Sequence, residues 1–141
     1  MPSGIWWLKR ILTAKSFADV EESAAAIVRR IGFRYFVFRG RHPQWLDGAE
    51  IRLHNCRPGW FEHCALRGLG GVGDPLHIGA MQETTPLLWR TWAWRYPDYF
   101  AVARRYGFAT GCTHPVRGPR GECSSMSFIK DAGGARAESE I

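Results

Sequence analysis

Residues 32–40 read Gly32-Phe33-Arg34-Tyr35-Phe36-Val37-Phe38-Arg39-Gly40, an aromatic run closed by glycine at both ends. Aromatic and β-branched side chains suit a pleated surface and glycine interrupts it, so the run predicts a strand over Phe33–Phe38. Apolar groups fall on both of its faces, with Phe33, Tyr35 and Val37 on one and Phe36 and Phe38 on the other. A strand that is apolar on both sides belongs to a sheet covered by two layers.

On the N-terminal side, Ser16 followed by Asp19 fits an acidic variant of the capping box. Phe17, Val20, Ala24, Ile27 and Ile31 then recur at helical steps as one apolar stripe, and Arg29, Arg30 and Gly32 suit the helix end. Trp6, Trp7, Ile11 and Leu12 predict a short amphipathic helix before it. On the C-terminal side, Pro43 and Gly48 mark a loop, and 50–54 alternates as a second strand near a sheet edge, with Ile51 and Leu53 inward. Residues 58–67 read as a helix with Trp60 and Cys64 on one face.

Gly68, Gly70, Gly71 and Gly73 break that helix, and neither a preceding strand nor a G-K-[ST] ending makes them a phosphate loop. Asp74-Pro75 resembles an N-cap and first helical residue, opening a segment that stops near Pro86. Tyr96 to Tyr106 is a further helix ended by Gly107, and Thr110–Val116 with Cys123–Ile129 form a hairpin. This order predicts an α/β fold, an α/β/α sandwich around a mainly antiparallel sheet. Residues 1–130 are expected to form one domain and 131–141, small and charged, a disordered tail.

With 141 residues there is room for one core, and 45% hydrophobic with 23% charged residues is the composition of a folded domain. No run reaches the ~18 apolar residues of a membrane span. The N-terminus lacks the order of a secretory signal, so a cytoplasmic location is expected. Cys56, Cys64, Cys112 and Cys123 form no C-x-x-C pair, and neither a metal nor a cofactor is expected. No hydrolase, zincin or P-loop motif is present, which argues against an enzyme. A net charge of +6 permits a nucleic-acid partner, and a small basic module for RNA or single-stranded DNA is the alternative reading.

The most informative composition lies between residues 56 and 94, where Trp60, Trp89, Trp92 and Trp94 stand among few acids. Ligand pockets are apolar and aromatic with a few orienting polar groups, and tryptophan offers a broad face with one donor. Asp74 is a candidate acceptor for a ligand amide. The same residues also read as core tryptophans and a helix-capping aspartate, and composition leaves both open.

Trp60, Cys64 four residues later, Asp74-Pro75, Pro86, Trp89, then Gly107, Gly111 and Pro115 form an ordered set. Together with Gly32-Phe33, and Gly118-Pro119-Arg120-Gly121 before a serine-containing strand, it resembles the autoinducer-binding domain of LuxR-type quorum-sensing regulators. The resemblance spans roughly residues 5–130. It implies binding of an N-acyl homoserine lactone, or a similar amphiphile, between the sheet and one helical layer. Carried over by position, Trp60 would donate to the lactone carbonyl and Asp74 would accept from the ligand amide. Trp89 would pack on the ring, Ser127 would donate to the acyl carbonyl, and Tyr35, Val37 and Met126 would line the acyl chain.

Cys64 stands where many members have tyrosine and Cys56 where an aromatic is common. A thiol is a smaller and weaker donor than a phenol, so an enlarged pocket lacking one hydrogen bond is expected. The tail is also too short for the final helix and strand that usually complete such a domain, and for a DNA-binding helix-turn-helix. The implied roles are therefore to sequester the signal, or to pair as a homodimer or with a full-length regulator, without direct DNA binding or membrane association.

Overall fold

The aromatic run forms β1 (Tyr35–Arg41), an interior strand that starts and ends later than the predicted Phe33–Phe38. It is flanked by β2 (Ile51–His54) and β5 (Cys123–Asp131), followed by β4 (Phe108–Arg117) and the two-residue β3 (Leu87–Leu88). The sheet order is β2-β1-β5-β4-β3 and every neighbouring pair is antiparallel. The computed structural model describes residue 9 and residues 11–41, 50–66, 75–119 and 121–131, with backbone alone for 64–66. Trp6, Trp7, Asp74, the loop through Pro43 and Gly48, the glycine-rich 68–73 and the tail from 132 onward lie outside the described residues. Asp131, expected in the tail, instead ends β5 opposite Phe108.

Helix α1 (Phe17–Arg30) begins as expected, with Ser16 Oγ accepting from the Asp19 backbone N–H. Its apolar stripe is only partly buried. Ser23 and Val28 are enclosed, whereas Phe17 and Ile31 are 61% and 57% exposed. The helix packs on β1 and β2, and Phe17 at its start and Ile31 at its end stay largely in solvent. Leu12, in the helical turn before it, is also exposed.

The other layer holds α2 (Trp60–Leu66), α3 (Pro75–Gln82), α4 (Trp89–Trp92) and α5 (Pro97–Arg105). Their residues Trp60, Leu76, Trp89 and Tyr99 form one buried cluster with Tyr35, Phe108 and Ile129 of the sheet. Phe36, pointing the other way from β1, is equally buried. The sheet is therefore covered on both faces, as the two-sided aromatic run requires.

Two glycines answer to geometry. Gly107 ends α5 with φ +94°, a conformation that favours glycine. Gly79 lets α3 approach α4 so closely that a Cβ would stand 2.5 Å from the Trp92 ring. Arg117, at the end of β4, donates from Nη2 to the carbonyls of Ala80 and Met81, both at 2.9 Å, so it occupies acceptors at the α3 C-terminus. β3 and α4 were not expected, because two and four residues are too few to display a period. Among the described residues no helix is long and apolar enough to cross a membrane.

At the β2 end, His54 Nδ1 accepts from the Cys56 backbone N–H at 3.1 Å and its ring meets Phe61 edge-on. Burial holds this imidazole below its ordinary pKa, and Arg52 acts in the same direction against the opposing pull of Glu21 and Glu62. The folded state therefore binds a proton less readily than the unfolded chain. His54 contributes stability that is complete above the unfolded value of 6.5 and is lost as pH falls through the lower folded value. Lowering pH from about 7.5 to 5.5 should reduce the melting temperature, and the His54→Leu variant should show a shallower pH slope by circular dichroism.

Candidate functional site

Strand pairing places the site's polar groups before any helix is considered. Val37 lies opposite Ser127, and Ser127 lies opposite Thr113, so these three share the sheet face turned toward α2–α5. Leu87 of β3 lies opposite Thr113, and the chain turns directly into α4, which brings Trp89 over that threonine. The Trp89 indole Nε1 donates to Thr113 Oγ1 at 2.9 Å, and Thr113 Oγ1 is 2.7 Å from Ser127 Oγ. A hydroxyl has one donor and two acceptor positions, so Thr113 serves both neighbours at once. Thr113 is fully buried.

Trp60 opens α2 and is 4% exposed. Tyr99, Tyr106 and Phe108 surround it edge-on, at ring separations of 5.8, 5.4 and 5.0 Å. Such edge-to-face contacts add roughly 0.5–1.5 kcal/mol each beyond area burial. Its ring borders the interior cavity.

The cavity between sheet and helices is lined by Val37, Trp60, Trp89 and Ser127 together with Arg39 and Ser125. Four of the eight expected site residues are thus brought together. Tyr35 faces the same side but packs edge-on against Phe108, 5.1 Å away, at the closed end of the cluster. Met126 lies on the opposite face, paired with Phe38 and His114, because side chains alternate along a strand. Cys64 is in α2, one turn after Trp60, and neither its side chain nor Asp74 is among the described residues.

The expected enlargement of the pocket is not found. The cavity measures about 20 Å³, room for roughly one water molecule. Rings from Tyr99, Tyr106 and Phe108 occupy the space around Trp60. A wider groove of about 640 Å³ lies on the outer side of Trp89, lined also by Arg90, Ala93, Phe100 and Arg104. The interior cavity has the buried hydrogen-bonding groups, and Trp89 forms a wall of both spaces.

Thr113, Arg39, Ser125 and His77 were absent from the residues singled out in the sequence. Arg39 is 3% exposed and forms a two-point ion pair with Glu50, Nε–Oε1 at 2.7 Å and Nη2–Oε2 at 3.1 Å. Burial pushes the Glu50 carboxyl upward. The hydrogen bond and charge of Arg39, with His77 and Arg52, more than reverse this and leave it below its ordinary value. His77 Nδ1 is 3.0 Å from Ser125 Oγ. The hairpin register was the available clue, since pairing Arg117 with Cys123 puts Thr113 opposite Ser127.

Replacing Thr113 by valine keeps the shape but deprives both the Trp89 N–H and Ser127 of a partner. It should lower unfolding free energy by about 1–3 kcal/mol in denaturant titrations, and Thr113→Ser should recover much of the loss.

Comparison with known proteins adds the lineage. The profile of the family described as "Autoinducer binding domain" matches residues 16–141, starting later and ending later than the resemblance read from the motifs. The quorum-sensing regulator RhlR of Pseudomonas aeruginosa is 26% identical over 106 residues, covering 74% of this chain and 44% of RhlR, so the match spans less than half that relative's length. CepR2 of Burkholderia cenocepacia, an N-acylhomoserine-lactone-dependent LuxR-family factor, shares the fold with a TM-score of 0.71 at 19% identity, over 95% of this chain and 81% of that one. SdiA, an Escherichia coli protein, in complex with octanoyl-rac-glycerol, gives 0.69 at 17% identity, over 92% and 56%. A match across most of the chain, on a sheet and helices of the same arrangement, establishes that the chain belongs to the autoinducer-binding-domain family of LuxR-type quorum-sensing regulators.

Proposed function

We propose that this chain binds an N-acyl homoserine lactone, or a related acylated amphiphile, between the sheet and helices α2–α5. The observation that carries this reading is the convergence of Val37, Trp60, Trp89 and Ser127, spread over ninety-one positions of sequence, on one interior cavity. Trp60 donates its indole N–H to the lactone carbonyl, Asp74 accepts from the amide, Trp89 covers the ring and Ser127 reaches the acyl carbonyl. The complex of SdiA with octanoyl-rac-glycerol supports the broader ligand class.

The small cavity shapes the mechanism. Functional ligand pockets measure roughly 300–1,000 Å³, against the 20 Å³ present here. A ligand therefore takes its place by displacing aromatic side chains, so that its own apolar surface becomes part of the core. Binding is in this way coupled to folded-state stability. A ligand at about 100 times its dissociation constant adds ~2.7 kcal/mol to the folded state.

Thermal melting against homoserine lactones of graded acyl length tests the reading. A matching ligand at that excess should raise the melting temperature by roughly 5–10 °C. Trp60→Phe and Asp74→Asn should each abolish most of the shift while leaving the unliganded protein folded. A full shift retained in both variants rejects these contacts, and no shift with any lactone or acylated glycerol rejects the ligand class. Expressed as this 141-residue polypeptide beside a full-length regulator, the domain draws signal or partner away. Reporter output should then fall, and unchanged output with unchanged dimer composition would count against that role.

A further inference from the structure

The cavity changes chemistry along its length. On the same sheet face the β1–β5 pairs run from Tyr35–Ile129, two bulky side chains with one phenol hydroxyl, through Val37–Ser127, to Arg39–Ser125, wholly polar. Trp60 stands at the first end, in the cluster that joins it to Phe108 and Phe108 to Tyr35. At the other end Arg39 is ion-paired to Glu50, and His77 from α3 hydrogen-bonds Ser125. Four polar side chains from separate parts of the chain thus meet where an alkyl tail would finish.

Such a lining is costly to keep for stability alone. Ion pairs withdrawn from water are often no better for stability than apolar residues of the same volume. A terminal methyl group placed here would cover the guanidinium–carboxylate pair and the Ser125 hydroxyl while offering no hydrogen bond. Ser125 Oγ has one described partner, His77, and a hydroxyl supports up to three hydrogen bonds. Glu50 is met by Arg39 at 2.7 Å and by Arg52 at 3.9 Å, so the hydrogen-bonding position this end offers a ligand is the Ser125 hydroxyl. An uncharged donor or acceptor suits it, because it brings no further charge out of water.

We propose that the Arg39–Glu50–His77–Ser125 end of the cavity recognises a signal whose acyl group carries an uncharged hydrogen-bonding group, a hydroxyl or carbonyl, at its far end. This rests on the signal-binding reading above and names the ligand more narrowly. Ser125 and His77 make the direct contacts, and the ion pair positions the wall behind them. Length follows from strand geometry. Ser127 and Ser125 are two residues apart, about 6.8 Å along β5. With the acyl carbonyl at Ser127, an extended chain of roughly six carbons brings its end to Ser125.

Isothermal titration of the full chain with N-hexanoyl-homoserine lactone and N-(6-hydroxyhexanoyl)-homoserine lactone tests this, because the pair differs by one terminal hydroxyl. The hydroxylated ligand should bind about tenfold more tightly, the worth of one added hydrogen bond in a dry site. In Ser125→Ala, and independently in His77→Phe, the preference should vanish while the hexanoyl compound binds at least as well as before. Equal or tighter binding of the hexanoyl compound to the unmodified chain overturns the proposal and leaves the signal-binding reading standing. Survival of the preference in both variants overturns the assignment to this end of the cavity. Binding of neither lactone rejects the signal-binding reading itself, and this proposal with it.

Discussion

The pairing of β5 between β1 and β4 is the constraint on which the site depends. An antiparallel register fixes which residues face each other and, because side chains alternate, which side of the sheet each one occupies. With Ser127 opposite both Val37 and Thr113, one sheet face presents a hydroxyl pair flanked by apolar groups. A shift of one residue in β5 would turn Met126 inward and send Ser125 and Ser127 to the α1 side. The Trp89–Thr113–Ser127 hydrogen-bond chain exists only in the observed register, and it ties the helical layer to the sheet at the cavity wall.

That arrangement also explains why so little empty space remains between the layers. The helices over the site contribute rings more than aliphatic chains, and Trp60, Tyr99, Tyr106 and Phe108 close on one another edge to face. The small side chain of Cys56 is packed against this cluster. Cys56 itself is tied back toward β1, its Sγ 3.9 Å from the Phe36 carbonyl. In the proposed binding mode ligand recognition and core packing would draw on the same side chains, which is the physical basis for expecting bound signal and folded stability to rise together.

Several of the arginines behind the positive net charge have structural work. Arg39 is buried against Glu50, and Arg117 holds carbonyls at the end of α3. Arg52 lies over the Phe61 ring, its guanidinium carbon 4.3 Å from the centroid. Composition alone treats these as interchangeable surface charges, whereas their surroundings give each a different partner. The distinction matters most for Arg39, since a buried guanidinium can shape what a cavity accepts while a solvated one cannot.

Local patterns in the chain determined the aromatic strand β1, the α1 cap at Ser16, the C-terminal hairpin and the helix stop at Gly107. Each rests on interactions within a few residues, where side-chain type and spacing suffice. The same patterns, with the motif resemblance, also marked Trp60, Trp89, Ser127 and Val37. They placed Met126 in the lining, left the exposure of Phe17 and Ile31 undecided, and missed Arg39, His77, Thr113 and Ser125, for a common reason. Which face a residue presents, and what packs over it, is set by strand register and helix placement between segments many residues apart. Only the assembled structure could decide that Ser125 meets His77 and that the cavity turns polar at one end, because hydrogen bonds between distant segments leave no local signature in sequence.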